Sequence, residues 1–216
     1  MFAGHVGVGL AIARGDRDVN AAWFVGAALL LDIVLWAFVL FGFETVVIPA
    51  DFANRHQPDF FFPFSHGLLA SLLWSVVFGV AVYFVSRTGR AGVLAGIAVS
   101  SHWILDAIVH RPELPLLGEK SMRIGFSLWD GLPWAMLTES MIVVIGLWIF
   151  LGDSSLARPR KAALDILMIV VLISTIVGMT IAPPPPSTTA MAVSSLLTLL
   201  MVCGFVAWID SRRQHA

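Results

Sequence analysis

The chain has 216 residues, of which 58% are hydrophobic and only 12% are charged, and its formal net charge is −1. Soluble domains carry roughly twice that charged fraction, so the composition excludes an ordinary soluble protein. The balanced charge provides no basic surface for nucleic acid, and the single cysteine, Cys203, excludes an intrachain disulfide. We therefore predict one transmembrane domain over residues 1–216, with membrane lipids as its surroundings.

The first apolar stretch, Met1–Ala13, is too short to cross a bilayer alone. It ends in a weak cleavage-like triplet, but no positive charge precedes it, and Arg14 and Arg17 follow it. A signal peptide has the opposite order of charge and apolar core. We predict a retained, buried helix, with cleavage as the alternative.

Six further apolar segments follow, each close to the twenty residues that one spanning helix requires. We see no inverted repeat and no broken helix of the transporter kind. The pattern predicts an all-α, polytopic transmembrane helical bundle with six long spanning helices plus a short N-terminal buried helix. The predicted spans are Ala21–Phe43, His66–Ser86, Arg90–His110, Leu132–Leu151, Ala162–Ile181 and Ala190–Ile209.

Lysine and arginine are distributed unevenly between the two ends of these helices. Because basic loops stay in the cytoplasm, the richer side, with the N-terminal turn and the C-terminus, is predicted to be cytoplasmic. The long loops 44–65 and 111–131 then face outward. The richer side holds Arg14, Arg17, Arg87, Arg90, Arg158, Arg160, Lys161, Arg212 and Arg213, and the other side holds Arg55, Arg111, Lys120 and Arg123.

Three polar residues interrupt the fourth apolar segment at a helical spacing. His102, Asp106 and His110 are separated by four residues each, so they form a stripe along one helical face. Imidazole nitrogen and carboxylate oxygen are good ligands for zinc and other divalent metals. A hydrogen-bonded structural pair of His102 and Asp106 is the alternative interpretation.

Ionisable residues in other segments lie at similar depths. A rise of about 1.5 Å per residue places Asp32, His102 and Asp106 in the outer half of the membrane, and His5 and His66 can reach the same region. Such residues are costly in hydrocarbon and are kept mostly where they face a cavity or a partner. The five can meet if their helices turn them toward one interior. Hydrogen bonds between helices remain the alternative for each.

Two further groups are candidates for proton transfer. Glu139 lies one to two turns into its helix and is predicted to be a general base, a proton relay or a snorkelling residue. His110, at the outer end of its helix, is predicted to move protons or to be a further ligand. Arg111 and Arg123 lie on the same side, where an arginine fork would suit a phosphate group.

Short motifs along most of the chain carry a family resemblance: Met1-Phe2-Ala3-Gly4-His5, Leu31-Asp32, Ser65-His66, Ser101-His102-Trp103-Ile104-Leu105-Asp106, His110-Arg111-Pro112-Glu113-Leu114-Pro115 and Leu128-Trp129. They resemble those of the bacterial inner-membrane proteins described as membrane-bound metal-dependent hydrolases. The resemblance implies a bacterial inner (cytoplasmic) membrane protein and a hydrolytic activity.

The order of these residues is also similar, more remotely, to the metal core of zinc-dependent phospholipases C. This chain lacks the second acid that many relatives carry after the position of Asp32, and it lacks a later His-x-x-x-Glu pair. The similarity therefore implies one divalent ion, zinc for preference, rather than two. It implies the ligands His5, Asp32, His66, His102 and Asp106.

The leading hypothesis is a membrane-embedded, metal-dependent hydrolase that acts on a lipid or lipid-linked (phospho)ester at the outer face. A transporter or proton relay would use the same buried acids and histidines. A non-catalytic structural protein would use them only to pair helices. Bound metal distinguishes the first hypothesis from the third, and ion flux in liposomes distinguishes the second.

Overall fold

The structure, a computed structural model, describes residues 1–152 and 154–211, with the side chain of Arg55 excepted. Arg212 and Arg213, which contribute to the predicted orientation, lie outside the described residues. The α-helices are α1 (Phe2–Ala13), α2 (Ala22–Ala28), α3 (Leu30–Phe41), α4 (Phe52–Arg55), α5 (Leu68–Ser86), α6 (Gly89–Val109), α7 (Leu132–Leu151), α8 (Arg158–Thr180) and α9 (Thr188–Asp210).

The all-α, multi-pass prediction is confirmed. Among the described residues, α5, α6, α7, α8 and α9 are long and apolar enough to cross a membrane, and α2 with α3 makes a sixth crossing if counted as one bent span. Their outward faces carry large apolar side chains such as Val76, Phe84 and Val144, each about 60% exposed. Such faces are stable against hydrocarbon and would aggregate in water.

The prediction of an unbroken helix over Ala21–Phe43 is wrong. The segment forms α2 and α3, which meet at Leu29 with a bend of 59°. Asp32 therefore lies in the first turn of α3 instead of the middle of a span. The first N–H groups of a helix have no partner within it, so a carboxylate is stabilised at this position.

The short helix α1 occupies the core of the bundle, as predicted. Ala3, Val6 and Leu10 are fully buried, and α1 packs against α2, α6 and α7. Two glycines permit its closest approach to α7, because a Cβ on Gly146 would lie 2.0 Å from the carbonyl oxygen of Gly7. Close backbone packing of this kind is a common way for helices to associate in a membrane.

Hydrogen bonds between connecting segments define two opposite ends of the bundle. At the arginine-rich end, Asp16 accepts from Thr88, and Asp210 accepts from the backbone N–H of Ala21. At the other end, called the loop end, Thr188 donates to the carbonyl of Val46. Loops 42–67, 110–131 and 181–187 all lie at the loop end.

The loop end also contains two short antiparallel sheets. Strand β1 (Thr45–Val47) pairs with β2 (Asp59–Phe61), with Val46 opposite Phe60. Strand β3 (Leu114–Pro115) pairs with β4 (Arg123–Ile124). The first sheet returns the chain to Phe62, which is buried beside His66, so it fixes the start of α5.

Candidate metal centre

Four ligand-type side chains from three parts of the chain meet toward the loop end. Asp32 comes from α3, His66 precedes α5, and His102 and Asp106 come from α6; these four are called the His/Asp cluster. Nε2 of His66 lies 3.2 Å from Nε2 of His102 and 3.4 Å from Oδ2 of Asp106. Nε2 of His102 is 3.1 Å from the same oxygen. Oδ1 of Asp32 is 3.5 and 3.8 Å from Nε2 of His66 and His102.

The cluster is enclosed on one side and open on the other. His66, His102 and Asp106 are each at most 2% exposed, whereas the side chain of Asp32 is 21% exposed. Asp32, His66 and Asp106 line the same cavity. A ligand in that cavity would therefore meet the cluster on the Asp32 side.

The second nitrogen of each cluster histidine has a partner that fixes the tautomer. Nδ1 of His102 lies 2.7 Å from the carbonyl oxygen of Ala28, which can only accept, so Nδ1 carries the hydrogen. Nδ1 of His66 lies 2.7 Å from Oγ of Ser65, which donates its own hydrogen to Glu44. Nδ1 of His66 must then be the donor to Ser65. In the neutral form of each ring, Nε2 is then a lone-pair acceptor.

Two facing acceptors at this distance require a positive charge or a proton between them. Nε2 of His66 and Nε2 of His102 are 3.2 Å apart and are closed in by the Asp106 carboxylate, another acceptor. Donors bound at 2.0–2.2 Å around a tetrahedral ion lie about 3.3–3.6 Å from one another. The observed separations of 3.1–3.8 Å match that arrangement, so the residues fit a divalent cation.

Two overlapping triplets within the described residues have ligand atoms within 4.8 Å of one another. One is His66, His102 and Asp106, and the other is His5, Asp32 and His102. A binding site for an ion needs only such a shell of three or four donors. The structure therefore brings all five residues that the sequence singled out as ligands into one region.

His5 contacts two members of the cluster, His102 and Asp106. Its ring stacks on that of His102 with centroids 3.7 Å apart, and its Nε2 lies 3.0 Å from Oδ1 of Asp106. The backbone nitrogen of Met1 is 3.4 Å from the same oxygen. In this arrangement His5 holds the carboxylate oxygen that faces away from His66, which is the position of a residue that orients a ligand.

His110 lies at the junction between the cluster and the cavity. Its Nε2 is 3.8 Å from Oδ2 of Asp106, and its Nδ1 is 2.5 Å from Oε1 of Glu113. The ring also packs against Trp129, with centroids 4.2 Å apart. Glu113 accepts the Nδ1 hydrogen, so Nε2 of His110 presents a lone pair toward the cluster and the cavity.

Glu139 has a structural contact that its position in the sequence did not indicate. Its Oε2 accepts from the backbone N–H groups of Ala3 and Gly4, at 3.1 and 3.3 Å. These are among the N–H groups that a helix start leaves without a partner. Glu139 therefore holds the first turn of α1, and it also lines the cavity.

The cavity beside the cluster has a volume of about 400 Å³. Ligand pockets in proteins commonly enclose about 300–1,000 Å³. Its walls come from α3, from loop residues 52–62 and from the facing sides of α8 and α9. The cavity therefore joins the polar cluster to the two helices that carried almost no sequence motif.

At the loop end, the guanidinium group of Arg111 is already occupied by a carboxylate. Nε and Nη2 of Arg111 both donate to Oδ1 of Asp130, at 2.9 and 2.8 Å, and this bond raises the pKa of Arg111 above its ordinary value. Arg123 is paired along the backbone in β4 and its side chain is exposed at the surface. A phosphate would have to displace Asp130 to use the guanidinium fork of Arg111.

Comparison of this chain with protein-family models, with curated proteins and with solved structures found no match.

Three residues support the cluster; Ser65 and Glu113 entered the sequence analysis only as motif residues, and Glu44 was missed. Glu44, at 2% exposure, accepts from the backbone of Phe64 and Ser65 as well as from the Ser65 hydroxyl. Glu113 orients His110. For Ser65 and Glu113 the sequence did offer a signal, which was their position: Ser65 adjoins His66, and Glu113 follows His110 by three residues. Glu44 offered no such signal.

Proposed function

We propose that this chain is a membrane-embedded, metal-dependent hydrolase that acts on a lipid or lipid-linked ester, with a phosphoester as the leading case. We also propose that it belongs with the membrane-bound metal-dependent hydrolases that its motifs resemble. Its site opens toward the outer face of the bacterial inner membrane, and it holds one divalent ion, zinc for preference.

One observation carries the proposal. In the neutral rings the Nε2 atoms of His66 and His102 are both acceptors, and they face each other at 3.2 Å beside two carboxylates. Hydrogen bonds between helices would pair donors with acceptors, because buried polar groups in proteins are almost always satisfied. Neutral rings leave no donor between the two Nε2 atoms, and such an arrangement is typical of a cation site.

The remaining residues have roles that fit hydrolysis. A divalent ion held by Asp32, His66, His102 and Asp106 would supply Lewis-acid activation of the bond and of water. His110 can take a proton at Nε2 from a water molecule in the cavity and return it to the leaving oxygen. Glu113 holds His110 in the required tautomer, and Glu139 holds α1, which carries His5, against the cluster.

The surroundings of the site support a lipid-like substrate. The cluster lies among helices whose outer faces are apolar, and the cavity reaches from it toward the surfaces of α8 and α9. A water-soluble substrate would have to enter between the loops, where Phe60, Phe62 and Trp129 crowd His110.

The test is metal analysis of the purified protein by mass spectrometry. We expect about one divalent ion per chain in the wild type and less than about a tenth of that in the His102→Ala/Asp106→Ala double variant, because removing two of four ligands eliminates the site. Full metal content in the double variant would reject the site.

A matched control separates loss of ligands from loss of folding. Asp210 is a buried carboxylate at the arginine-rich end, where it accepts from the N–H of Ala21. Asp210→Asn should keep its metal. The isosteric variant Asp106→Asn should lose metal while its elution in gel filtration stays that of the wild type.

A transporter or proton relay is the second candidate, and the break at Leu29 favours it specifically. Discontinuous helices are a common source of ion sites in transporters, and Asp32 lies just after this break. The test is proton or metal flux into liposomes that contain the purified protein. Flux that is lost in Asp32→Asn would support this candidate over the hydrolase.

A further inference from the structure

The cavity beside the His/Asp cluster extends between the last two spanning helices. Its far wall, called the α8–α9 cleft, is formed by residues of both helices: Ser174, Thr175, Gly178, Met179, Met191, Ser194, Ser195, Thr198 and Leu199. These segments adjoin the 181–187 connection at the loop end. The polar cluster and the α8–α9 cleft are therefore two parts of one continuous space.

The cleft lies at the depth of the spanning helices. Ser174, Ser194 and Thr198 line the cavity, and their side chains are exposed. Thr198 lies about 15 Å along α9 from its start, because a helix rises about 1.5 Å per residue. At that depth in a spanning helix the surroundings are hydrocarbon, so a molecule that passes between α8 and α9 at this level comes from lipid rather than from water.

Three of the five hydroxyl groups that α8 and α9 contribute to the cavity are satisfied within their own helices. Thr175 donates to the carbonyl of Val171 at 3.0 Å, Ser194 donates to that of Met191 at 3.0 Å, and Thr198 donates to that of Ser194 at 2.8 Å. Their hydrogens need no water or polar ligand. These three groups can therefore lie against hydrocarbon without becoming unpaired donors.

Gly178, in the wall of the cleft, has free space where a side chain would lie. A Cβ added to Gly178 would meet no atom within 4 Å, and Gly178 lines the cavity. Packing in the described residues does not explain this glycine, in contrast to Gly146, whose Cβ would meet the backbone of Gly7. The free space at Gly178 is part of the cleft.

We propose that the α8–α9 cleft holds one hydrocarbon chain of a lipid whose polar linkage reaches the His/Asp cluster, and that Gly178 sets the width available to this chain. The proposal rests on the proposed function and deepens it by naming the part of the substrate that is recognised. The lipid enters laterally between α8 and α9, and its headgroup lies beneath loop residues 52–62.

The test uses photocrosslinking in vesicles. The purified protein is placed in phosphatidylcholine vesicles that contain a trace of phosphatidylglycerol with a diazirine at the end of one acyl chain, and adducts are mapped by peptide mass spectrometry. We expect labelling of the cavity-lining residues of α8 and α9 to exceed that of the exposed residues Ile166, Ile169 and Val170 of α8 by about tenfold.

Two matched variants test the role of the glycine. Gly178→Leu should fill the cleft and lower its labelling to the level of these exposed residues of α8. Gly204→Leu, in α9, is the control, because a Cβ there also meets nothing within 4 Å and Gly204 does not line this cavity. It should label as the wild type does. Uniform labelling, or no effect of Gly178→Leu, would overturn the proposal.

Metal content measured on the same samples keeps this test separate from that of the hydrolase. Gly178→Leu should retain its metal, because it lies outside the cluster. Specific labelling without metal would reject the metal-dependent function and leave the cleft standing. Stoichiometric metal without specific labelling would reject the cleft and leave the metal centre standing.

Discussion

The hydroxyl of Ser65 connects the candidate centre to a carboxylate in the first long loop. It donates to Glu44 and accepts from Nδ1 of His66, each at 2.7 Å. Partners of this kind fix the orientation and tautomer of a metal-ligating histidine. Ser65 therefore determines that Nε2 of His66 faces His102.

We predict that Ser65→Ala weakens metal binding by about 10- to 100-fold, because His66 loses the acceptor for its Nδ1 hydrogen. Titration of the purified protein with a competing fluorescent chelator measures the change. Ser75→Ala is the control, since Ser75 is also buried but bonds to Ser71 and Ser100, away from the cluster. An affinity equal to that of the wild type in Ser65→Ala would contradict this role.

Glu113 is a positioning residue that acts through His110. We predict that Glu113→Gln slows hydrolysis about tenfold or more while metal content stays constant, because the amide can no longer act only as an acceptor for Nδ1. The measurement is turnover of a panel of fluorogenic lipid esters and phosphoesters, with kcat and KM determined separately.

Restored turnover in Glu113→Asp would support an orienting carboxylate at this position. The substrate must be one that Asp106→Asn does not turn over, so that the measured rate depends on the cluster. If the wild type and Glu113→Gln then hydrolyse it at equal rates, His110 and Glu113 have no part in the mechanism.

The sequence identified the cluster residues but not their supports, for a physical reason. Asp32, His102 and Asp106 are conspicuous because ionisable groups are rare in apolar helices. Glu44 and Glu113 lie in loops, where acidic residues are ordinary. Their burial depends on how the two small sheets fold, which local patterns do not determine.

At the scale of elements, the packing of α1 against α7 is the contact most sensitive to side-chain size. A Cβ on Gly146 would come within 2.0 Å of the carbonyl oxygen of Gly7, so one of the helices would have to move. That movement would also displace His5 and the N–H groups that Glu139 holds.

We predict that Gly146→Ala lowers the stability by about 1–3 kcal/mol, the usual effect of overpacking, and weakens metal binding as well. Thermal unfolding in detergent, followed by tryptophan fluorescence, measures the stability. Gly204→Ala, where the added methyl meets nothing, should leave both quantities unchanged. Equal midpoints for the two variants would show that α1 and α7 do not approach this closely.

The break between α2 and α3 shows where local sequence fails as a guide. No glycine or proline occurs from Ala27 to Asp32, so the composition favours a continuous helix. The break at Leu29 accompanies a tertiary contact, the hydrogen bond from His102 to the carbonyl of Ala28. Contacts between distant segments of this kind override helix propensity.

At the scale of the whole molecule, length and hydropathy predicted the spanning helices well. The bounds of α5 to α9 differ from the predicted ones by at most four residues, because unbroken apolar runs of this length leave few alternatives. The cavity between α8 and α9 was not predicted, since it depends on how these two helices, which contain few motif residues, pack against the other helices.

The proposed orientation can be tested by cysteine accessibility. In a Cys203→Ser background, we predict that Met122→Cys is labelled by an impermeant maleimide in intact spheroplasts, whereas Ser155→Cys is labelled only after lysis. Both positions are exposed, and neither substitution changes the charge pattern. The opposite labelling pattern would place the His/Asp cluster on the cytoplasmic side.

The central claim is that His66 and His102 hold one divalent ion between their Nε2 atoms, together with Asp106 and Asp32. X-ray absorption spectroscopy at the metal edge of the purified protein tests it most directly. We predict a shell of nitrogen and oxygen donors at about 2.0–2.2 Å with the outer-shell scattering of two imidazoles. A spectrum without imidazole scattering, or one left unchanged in the His66→Ala/His102→Ala variant, would contradict the claim.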